Sequence, residues 1–138
     1  MIVRGTTPYH VFELPILMED IDVIWVTYYQ NGRVIFEYSN LEINERVQLS
    51  PLYQQETEVI EGEEPAEEPI GSQLTIHLTQ ENTLGFTFFP MERKNVAFIQ
   101  VRVLTTDGEA FASEPVTERI FGIYHEGVIG NETDEQDS

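Results

Sequence analysis

The chain has 138 residues, with 25 acidic and 7 basic side chains and a formal net charge of -18 at pH 7. This length suits one compact domain, and a hydrophobic fraction of 41% is enough to form a core. The charge leaves no basic surface for phosphate contacts, which argues against nucleic acid or an anionic membrane as a partner. Cysteine is absent, so disulfide bridges, thiolate nucleophiles and cysteine metal sites are excluded.

The sequence also shows no apolar segment of the kind that directs export or membrane insertion. The N-terminal residues, MIVRGTTPYH, contain no apolar targeting segment after Arg4. No apolar run approaches the roughly 20 residues that span a bilayer. We therefore expect a soluble protein that is not exported and makes no contact with a membrane.

The first predicted elements are a short strand and a hairpin. YHVFELP, from Tyr9, is predicted to be a strand that ends at Pro15. YYQNGRVIFEY, residues 28–38, is predicted to be a hairpin, because Asn31 and Gly32 accept the positive φ angles of a two-residue turn.

This hairpin has apolar side chains on both faces. With a regular register, Tyr28 lies opposite Ile35 and the two faces follow from alternation. One face holds Val23, Trp25, Thr27, Tyr29, Val34, Phe36 and Tyr38, and the other holds Ile24, Val26, Tyr28, Gln30, Arg33, Ile35 and Glu37. Burying Arg33 or Glu37 without a partner costs several kcal/mol, whereas the Trp25 face has no charge. The Trp25 face is therefore predicted to be the core face.

The opposite face then leaves four apolar residues pointing outward: Ile24, Val26, Tyr28 and Ile35. One explanation is that another segment of the same chain covers them. The other explanation is a protein–protein contact, because contiguous exposed apolar patches usually mark interfaces. These four residues are the candidate partner-binding site. If the two faces are assigned the wrong way round, Trp25 and the tyrosines instead form a platform on which sugars can stack.

Two segments are strongly acidic and poor in apolar residues. The segment from about 48 to 72, which contains ETEVIEGEEPAEEPIGS, is predicted to be an acidic loop insertion. Residues 130–138, GNETDEQDS, are predicted to be an acidic tail. We interpret both as solvated spacers, with contact to a basic partner or a cation as the alternative. The loop lacks the spaced ligands of a calcium site, so no metal is expected there.

Two later strands each have an identifiable inner face. QLTIHLT, from Gln73, and VAFIQVRVL, from Val96, place the following residues inward: Leu74, Ile76, Leu78, Ala97, Ile99, Val101 and Val103. TQENTLGF, between these strands, is predicted to be a single helical turn. Asp107 and Gly108 are predicted to close a second hairpin as a two-residue turn, and Pro115 marks the returning strand as an edge strand or as bulged.

Several short strands, two hairpins and the lack of a long helical pattern define the fold class. We predict an all-β fold, an immunoglobulin-like antiparallel β-sandwich of about seven strands with an acidic loop insertion. Residues 1–129 are predicted to form this single domain. A small barrel is the alternative.

Catalytic and metal-binding patterns are missing from the sequence. His10, His77 and His125 lie on separate predicted strands or near the tail, without the spacing that brings two histidines to one metal. Each is interpreted as a solvent-facing residue. The chain has no phosphate-binding loop, no nucleophile elbow and no paired carboxylates in an apolar cleft. We expect no enzyme activity, no metal and no cofactor.

Four lines of the sequence carry a resemblance to a known family. They are RGTTPYHVFELP from Arg4, VTYYQNG from Val26, LTQENTLGF from Leu78 and IQVRVLTTDGEAFAS from Ile99. These lines resemble a family of small, poorly characterised proteins of tailed bacteriophages and prophages. The resemblance implies a non-enzymatic, immunoglobulin-like β-sandwich that is associated with the virion and made in the cytoplasm of the bacterial host.

The resemblance also implies a role. We expect a structural or accessory virion protein, in capsid decoration, the neck or the tail, that docks to other virion proteins or to further copies of itself. One alternative is a module that binds carbohydrate or the host surface, for which a host glycan would be the partner. A second alternative is a phage assembly factor that is not part of the virion.

Overall fold

The structure, a computed structural model, describes residues 1–41, 45–53, 68–92 and 95–130. In this part of the chain the strands are β1 (Ile2–Val3), β2 (Tyr9–Leu14), β3 (Ile21–Gln30), β4 (Arg33–Ser39), β5 (Val47–Tyr53), β6 (Pro69–His77), β7 (Val96–Thr105), β8 (Ala110–Ala112) and β9 (Val116–Phe121). A 3-10 turn, Met18–Asp20, precedes β3, and helix α1, Gln80–Leu84, precedes β7. The predicted helical turn is therefore confirmed.

The strands form two sheets that pack against each other. The larger sheet has the order β1-β9-β7-β3-β4, with β8 also paired to β7, and the smaller sheet has the order β2-β6-β5. Only β1 and β9 are parallel among the described pairs. The predicted all-β sandwich is confirmed.

A bulge in the β3–β4 hairpin changes its register. Tyr29 pairs with Val34, as predicted, but Tyr28 pairs with Phe36. Ile35 is therefore an additional residue on β4, which no residue of β3 opposes. Side chains alternate along a strand. Every β4 residue after the bulge therefore shares a side with the opposite set of β3 residues from the set predicted.

The predicted core face is wrong. Ile24, Val26 and Tyr28 are 1%, 1% and 0% exposed, whereas Trp25 and Tyr29 are each 40% exposed. The face with Ile24 and Tyr28 therefore lies inside the sandwich, and the Trp25 face is in contact with solvent.

The prediction of a charge-free core on the Trp25 side holds only for a regular register, which the bulge removes. After the bulge, Glu37 lies on the outer face, where Thr27 Oγ1 donates a hydrogen bond to its Oε2 at 2.7 Å. Phe36 and Tyr38 take the inner positions that Glu37 would have occupied. Arg33, the first residue of β4, is exposed beside the turn. The inner face therefore contains no unpaired charge.

The centre of the core lies where β3 pairs with β7. The inner pairs are Ile24 with Val103, Val26 with Val101, and Tyr28 with Ile99. The inner rows predicted for β6 and β7 are confirmed, because every predicted member is at most 5% exposed. The β6 row, on the smaller sheet, packs against the inner sides of β3 and β7 on the larger sheet.

Polar groups at this level of the core are hydrogen-bonded. Gln30 Nε2 donates to Thr87 O at 2.9 Å, and Thr87 N donates to Gln30 Oε1 at 2.8 Å. The Tyr28 hydroxyl lies 2.7 Å from His10 Nδ1. His10 pairs with the buried Ile76 and shares its inner side, so the prediction of a solvent-facing residue is wrong for His10. Burial lowers the pKa of His10 and raises the pKa of Tyr28.

The predicted boundaries of the acidic loop, about 48 to 72, are wrong at both ends. Most of β5 and the first residues of β6 fall within that range, and the two strands pair from Val47 with Ile76 to Tyr53 with Pro69. Pro51 is tolerated in β5 because this strand lies at the edge of the smaller sheet. Residues 54–67 and 131–138, which hold most of the predicted acidic loop and tail, lie outside the described residues.

Turn geometry explains both hairpins of the larger sheet. Asn31 and Gly32 have φ angles of 52° and 79°, as the predicted two-residue turn requires. In the second hairpin, Thr105 N donates to Glu109 O at 2.8 Å, and Gly108 has a φ of 89°. Residues 106–108 therefore form a three-residue loop instead of the predicted two-residue turn. The predicted interruption at Pro115 is confirmed, since it lies between β8 and β9.

The corrected face assignment can be tested by placing an acid on each side of the hairpin. Val26→Asp should destabilise the fold by several kcal/mol, because it buries an unpaired carboxylate in the core. Val34→Asp should change the free energy of unfolding by less than about 1 kcal/mol, because Val34 is 50% exposed. Urea unfolding followed by circular dichroism measures both. A Val26→Asp protein as stable as the parent would contradict the buried position of this residue.

The burial of His10 predicts a pH dependence of stability. Because the pKa of His10 is lowered in the folded protein, the unfolded chain binds this proton more tightly. The free energy of unfolding should therefore fall as the pH decreases through about 6.5, the ordinary pKa of histidine. One proton limits this slope to about 1.4 kcal/mol per pH unit. Urea unfolding between pH 7.5 and 5.5 should give a smaller slope for His10→Gln than for the parent, and equal slopes would contradict the prediction.

Candidate functional site

The solvent-facing side of the larger sheet carries a set of exposed apolar side chains. They are Trp25 and Tyr29 on β3, Val34 on β4, and Phe98 and Leu104 on β7, each between 37% and 50% exposed. Three polar residues on the same side, Thr27, Gln100 and Arg102, lie among them. We call these eight residues the outer platform.

Strand pairing determines the layout of the outer platform. Tyr29 lies directly opposite Phe98 on β7 and opposite Val34 on β4. Directly opposed residues have Cβ atoms roughly 5 Å apart, so the three side chains form a row across three strands. Trp25 lies four residues before Tyr29, about 13 Å away along β3. The platform therefore has two aromatic positions separated by a polar centre.

The polar centre contains Thr27 and Gln100, which lie opposite each other. Gln100 Nε2 donates to Ser113 O at 3.0 Å. Within the described residues, neither Gln100 Oε1 nor the Tyr29 hydroxyl makes a hydrogen bond. A shallow cavity of about 350 Å³ lies at this point, lined by Thr27, Tyr29, Phe98, Gln100 and Pro115. It combines aromatic surface with hydrogen-bonding groups that a ligand can use.

The charge of this side differs from the charge of the whole chain. Arg102 is exposed opposite Trp25, and its side chain makes no hydrogen bond or ion pair with any other described residue. Arg119, on β9, lies with its guanidinium carbon 5.4 Å from the centre of the Phe121 ring. Among the residues of the described strands, the acidic residue on the outer side of the larger sheet is Glu37. Among the charged residues that the described strands place on this side, Arg102 and Arg119 outnumber Glu37, in a chain with a net charge of -18.

The predicted partner-binding residues do not form an exposed site. Ile24, Val26 and Tyr28 are core residues, so the prediction of a partner contact is wrong for them and the other explanation, cover by the same chain, is confirmed. Ile35 is partly buried, and a Cβ atom added to Gly85 would lie 2.9 Å from its Cγ2. The bulge places Ile35 against this glycine instead of on the surface. None of the four predicted residues is a platform residue.

Sequence reasoning placed Trp25 in the core and offered an exposed platform around it only as the alternative for inverted faces, although β7 carried a signal for that platform. The alternation in β7 correctly places Phe98, Arg102 and Leu104 on the outer side. Antiparallel pairing puts Trp25 and Tyr29 on the same side as these residues, but a single sequence does not specify which strands pair. The alternation of β7 therefore indicated exposed apolar residues, but the sequence did not show that β7 pairs with β3.

Other kinds of site are not found in the described part of the chain. Among residues 1–41, 45–53, 68–92 and 95–130, no group of three or more His, Cys, Asp or Glu side chains is arranged to hold a metal ion. None of the helices in those ranges has the length and apolar character needed to cross a membrane.

Comparison with known proteins adds no further constraint. No family model, curated protein or solved structure matches this chain. The function of the outer platform must therefore be argued from its own residues.

The exposure of the outer platform can be measured through Trp25, the only tryptophan of the chain. Its fluorescence in the native protein should be quenched strongly by acrylamide, because the side chain is 40% exposed. Quenching constants should be compared for the native protein, the protein in guanidinium chloride and free tryptophan amide. A native protein that resists quenching would place Trp25 in the core and contradict the exposed platform.

Proposed function

We propose that this protein is a non-enzymatic structural or accessory component of a bacteriophage virion and that it docks to another virion protein through the outer platform. The observation that carries the proposal is the exposed row of Val34, Tyr29 and Phe98, with Trp25 on the same side. The resemblance of the RGTTPYHVFELP and IQVRVLTTDGEAFAS lines to phage proteins supports the placement in a virion.

The composition of the platform suits a protein interface. Aromatic residues and arginine are enriched in the cores of interfaces, and Trp, Tyr and Arg dominate the residues that carry binding energy. Trp25 and Arg102 lie opposite each other on two central strands, and Tyr29 lies four residues further along β3. Central strands are held by hydrogen bonds on both sides, so docking does not have to order a flexible segment.

Electrostatics favour a different protein over a second copy. Copies with a net charge of -18 repel one another, which opposes self-association. Arg102 and Arg119 on the outer side can each attract a carboxylate of such a partner. The proposed partner is therefore another virion protein that presents an apolar surface with carboxylates near it.

The number of copies of the protein per virion indicates where it lies in the particle. Mass spectrometry of purified virions measures the abundance of the protein relative to the major capsid protein. Hundreds of copies would indicate capsid decoration, and about a dozen or fewer would indicate the neck or tail. Absence from purified particles would favour an assembly factor and contradict the virion proposal.

Two matched valines test the docking surface. Val34 lies in the outer platform and is 50% exposed, and Val11 lies on the smaller sheet and is 54% exposed. Val34→Asp should prevent incorporation into particles, because it places a carboxylate within the apolar contact, whereas Val11→Asp should incorporate like the parent. Both variants should melt within a few degrees of the parent. Normal incorporation of Val34→Asp would show that docking uses another surface.

A carbohydrate-binding module is a second candidate, favoured by one observation. The cavity beside Tyr29 and Phe98 has the unpaired Gln100 Oε1 and the Tyr29 hydroxyl at its margin. Aromatic rings bind the apolar face of a sugar, and the polar groups bind its hydroxyls. A glycan array followed by calorimetry on Tyr29→Ala tests this function. Glycan binding that Tyr29→Ala abolishes would support a receptor-binding role.

A further inference from the structure

A second cavity lies where the segment before β7 meets the segment after β9. Its volume is about 500 Å³, within the range of sites that bind small ligands. The side chains that shape it are Arg4, Phe88, Pro90, Phe121, Tyr124 and Glu126. None of these residues belongs to the outer platform, and we call this site the Arg4 cavity.

Contacts with the main chain hold Arg4 in position. Its Nε donates to Phe86 O at 2.7 Å, and its Nη2 donates to Leu84 O at 3.2 Å. Leu84 is the last residue of α1, so this contact also satisfies a carbonyl at the helix end. The side chain is only 17% exposed. The guanidinium is thus fixed before any ligand arrives.

The remaining nitrogen of the Arg4 guanidinium is paired with a side chain of the protein itself. Arg4 Nη1 donates to the carboxylate of Glu126. The Glu126 side chain is 60% exposed and precedes Gly127, which has a φ of 98°. Glu126 is the solvent-exposed partner of this pair, so another carboxylate can approach the Arg4 guanidinium from solvent and take its place. Arginine binds carboxylates through parallel hydrogen bonds and is suited to this exchange.

Aromatic side chains supply the apolar part of the cavity. Phe88 lies against Gly122, where an added Cβ atom would be only 2.5 Å from the ring. The absence of a side chain at Gly122 therefore lets the Phe88 ring form one wall. Phe121 and the fully exposed Tyr124 line the rest. The cavity thus places apolar surface beside a fixed cation.

We propose that the Arg4 cavity binds a carboxylate carried on an aromatic or other apolar group. The carboxylate replaces Glu126 on Arg4, and the apolar group lies between Phe88 and Tyr124. At physiological ionic strength, charges are screened over about 8 Å, so the adjacent guanidinium outweighs the distant acids of the chain. Two sources offer this chemistry: a free small carboxylic acid, and the carboxyl-terminal residue of a neighbouring protein.

Calorimetric titration with three probes tests the chemistry. N-acetyl-phenylalanine carries both required groups, its amide lacks the carboxylate, and acetate lacks the apolar group. N-acetyl-phenylalanine should bind, and the other two probes should bind at least roughly tenfold more weakly, because each loses one half of the contacts. Equal binding of the acid and the amide, or no binding of the acid, would overturn the proposal.

Variants of the full chain test the geometry. Glu126→Gln should tighten binding of N-acetyl-phenylalanine about two- to fivefold, because the competing carboxylate is removed. Glu114→Gln, an exposed residue outside the cavity, makes the same change in net charge and should leave binding unchanged. Arg4→Gln should abolish binding, and Tyr124→Ala should weaken it in a protein that keeps its fold. Equal affinities for the two glutamine variants would contradict the exchange at Arg4.

A last comparison distinguishes the two sources. A peptide that ends in phenylalanine with a free carboxyl group should be tested against N-acetyl-phenylalanine and against the amidated peptide. Tighter binding of the free peptide would identify a protein terminus, and equal binding of the two acids would identify a small acid. Val34→Asp should retain binding of the acid, so failure of the docking proposal leaves this result unaffected.

Discussion

The additional residue on β4, Ile35, determines which side of the larger sheet is buried. Without it, Phe36 and Tyr38 would lie on the outer side and Glu37 would point into the core. With it, the inner sides of β3, β4 and β7 agree, and the outer side keeps Trp25. The position of the core and the existence of the outer platform both depend on this one break in the strand pairing.

Much of the fold was predictable because β6 and β7 each alternate cleanly, and because Asn31-Gly32 and Pro115 have strong local preferences. β5 was missed because its sequence includes Pro51 and leads into an acidic stretch. The site was not predictable from the hairpin, since both sides of β3 are apolar and neither Gly nor Pro marks the bulge beside Ile35. The buried side of β3 can be identified only when its partner strand is known, and that pairing is a feature of the tertiary structure.

The arginines of this acidic chain divide between structural and surface roles. Arg4 and Arg46 donate to main-chain carbonyls of other segments and so connect the loops to the sandwich. Arg102 and Arg119 lie on the outer side of the larger sheet. The protein therefore presents two different kinds of cationic surface. One is flat and borne by strands, and the other, at Arg4, is concave and closed by an internal carboxylate.

The break between β8 and β9 affects how copies of the protein behave at high concentration. Ser113 occupies this break, where it donates from its main chain to Val101 O at 2.8 Å and accepts from Val101 N on its Oγ at 3.0 Å. Pro115 follows and has no N–H to offer a neighbouring strand. Long, unbroken edges template the growth of sheets between molecules, and an edge divided in this way does not. This edge of the larger sheet thus offers a neighbouring molecule no long, unbroken row of main-chain groups to pair with.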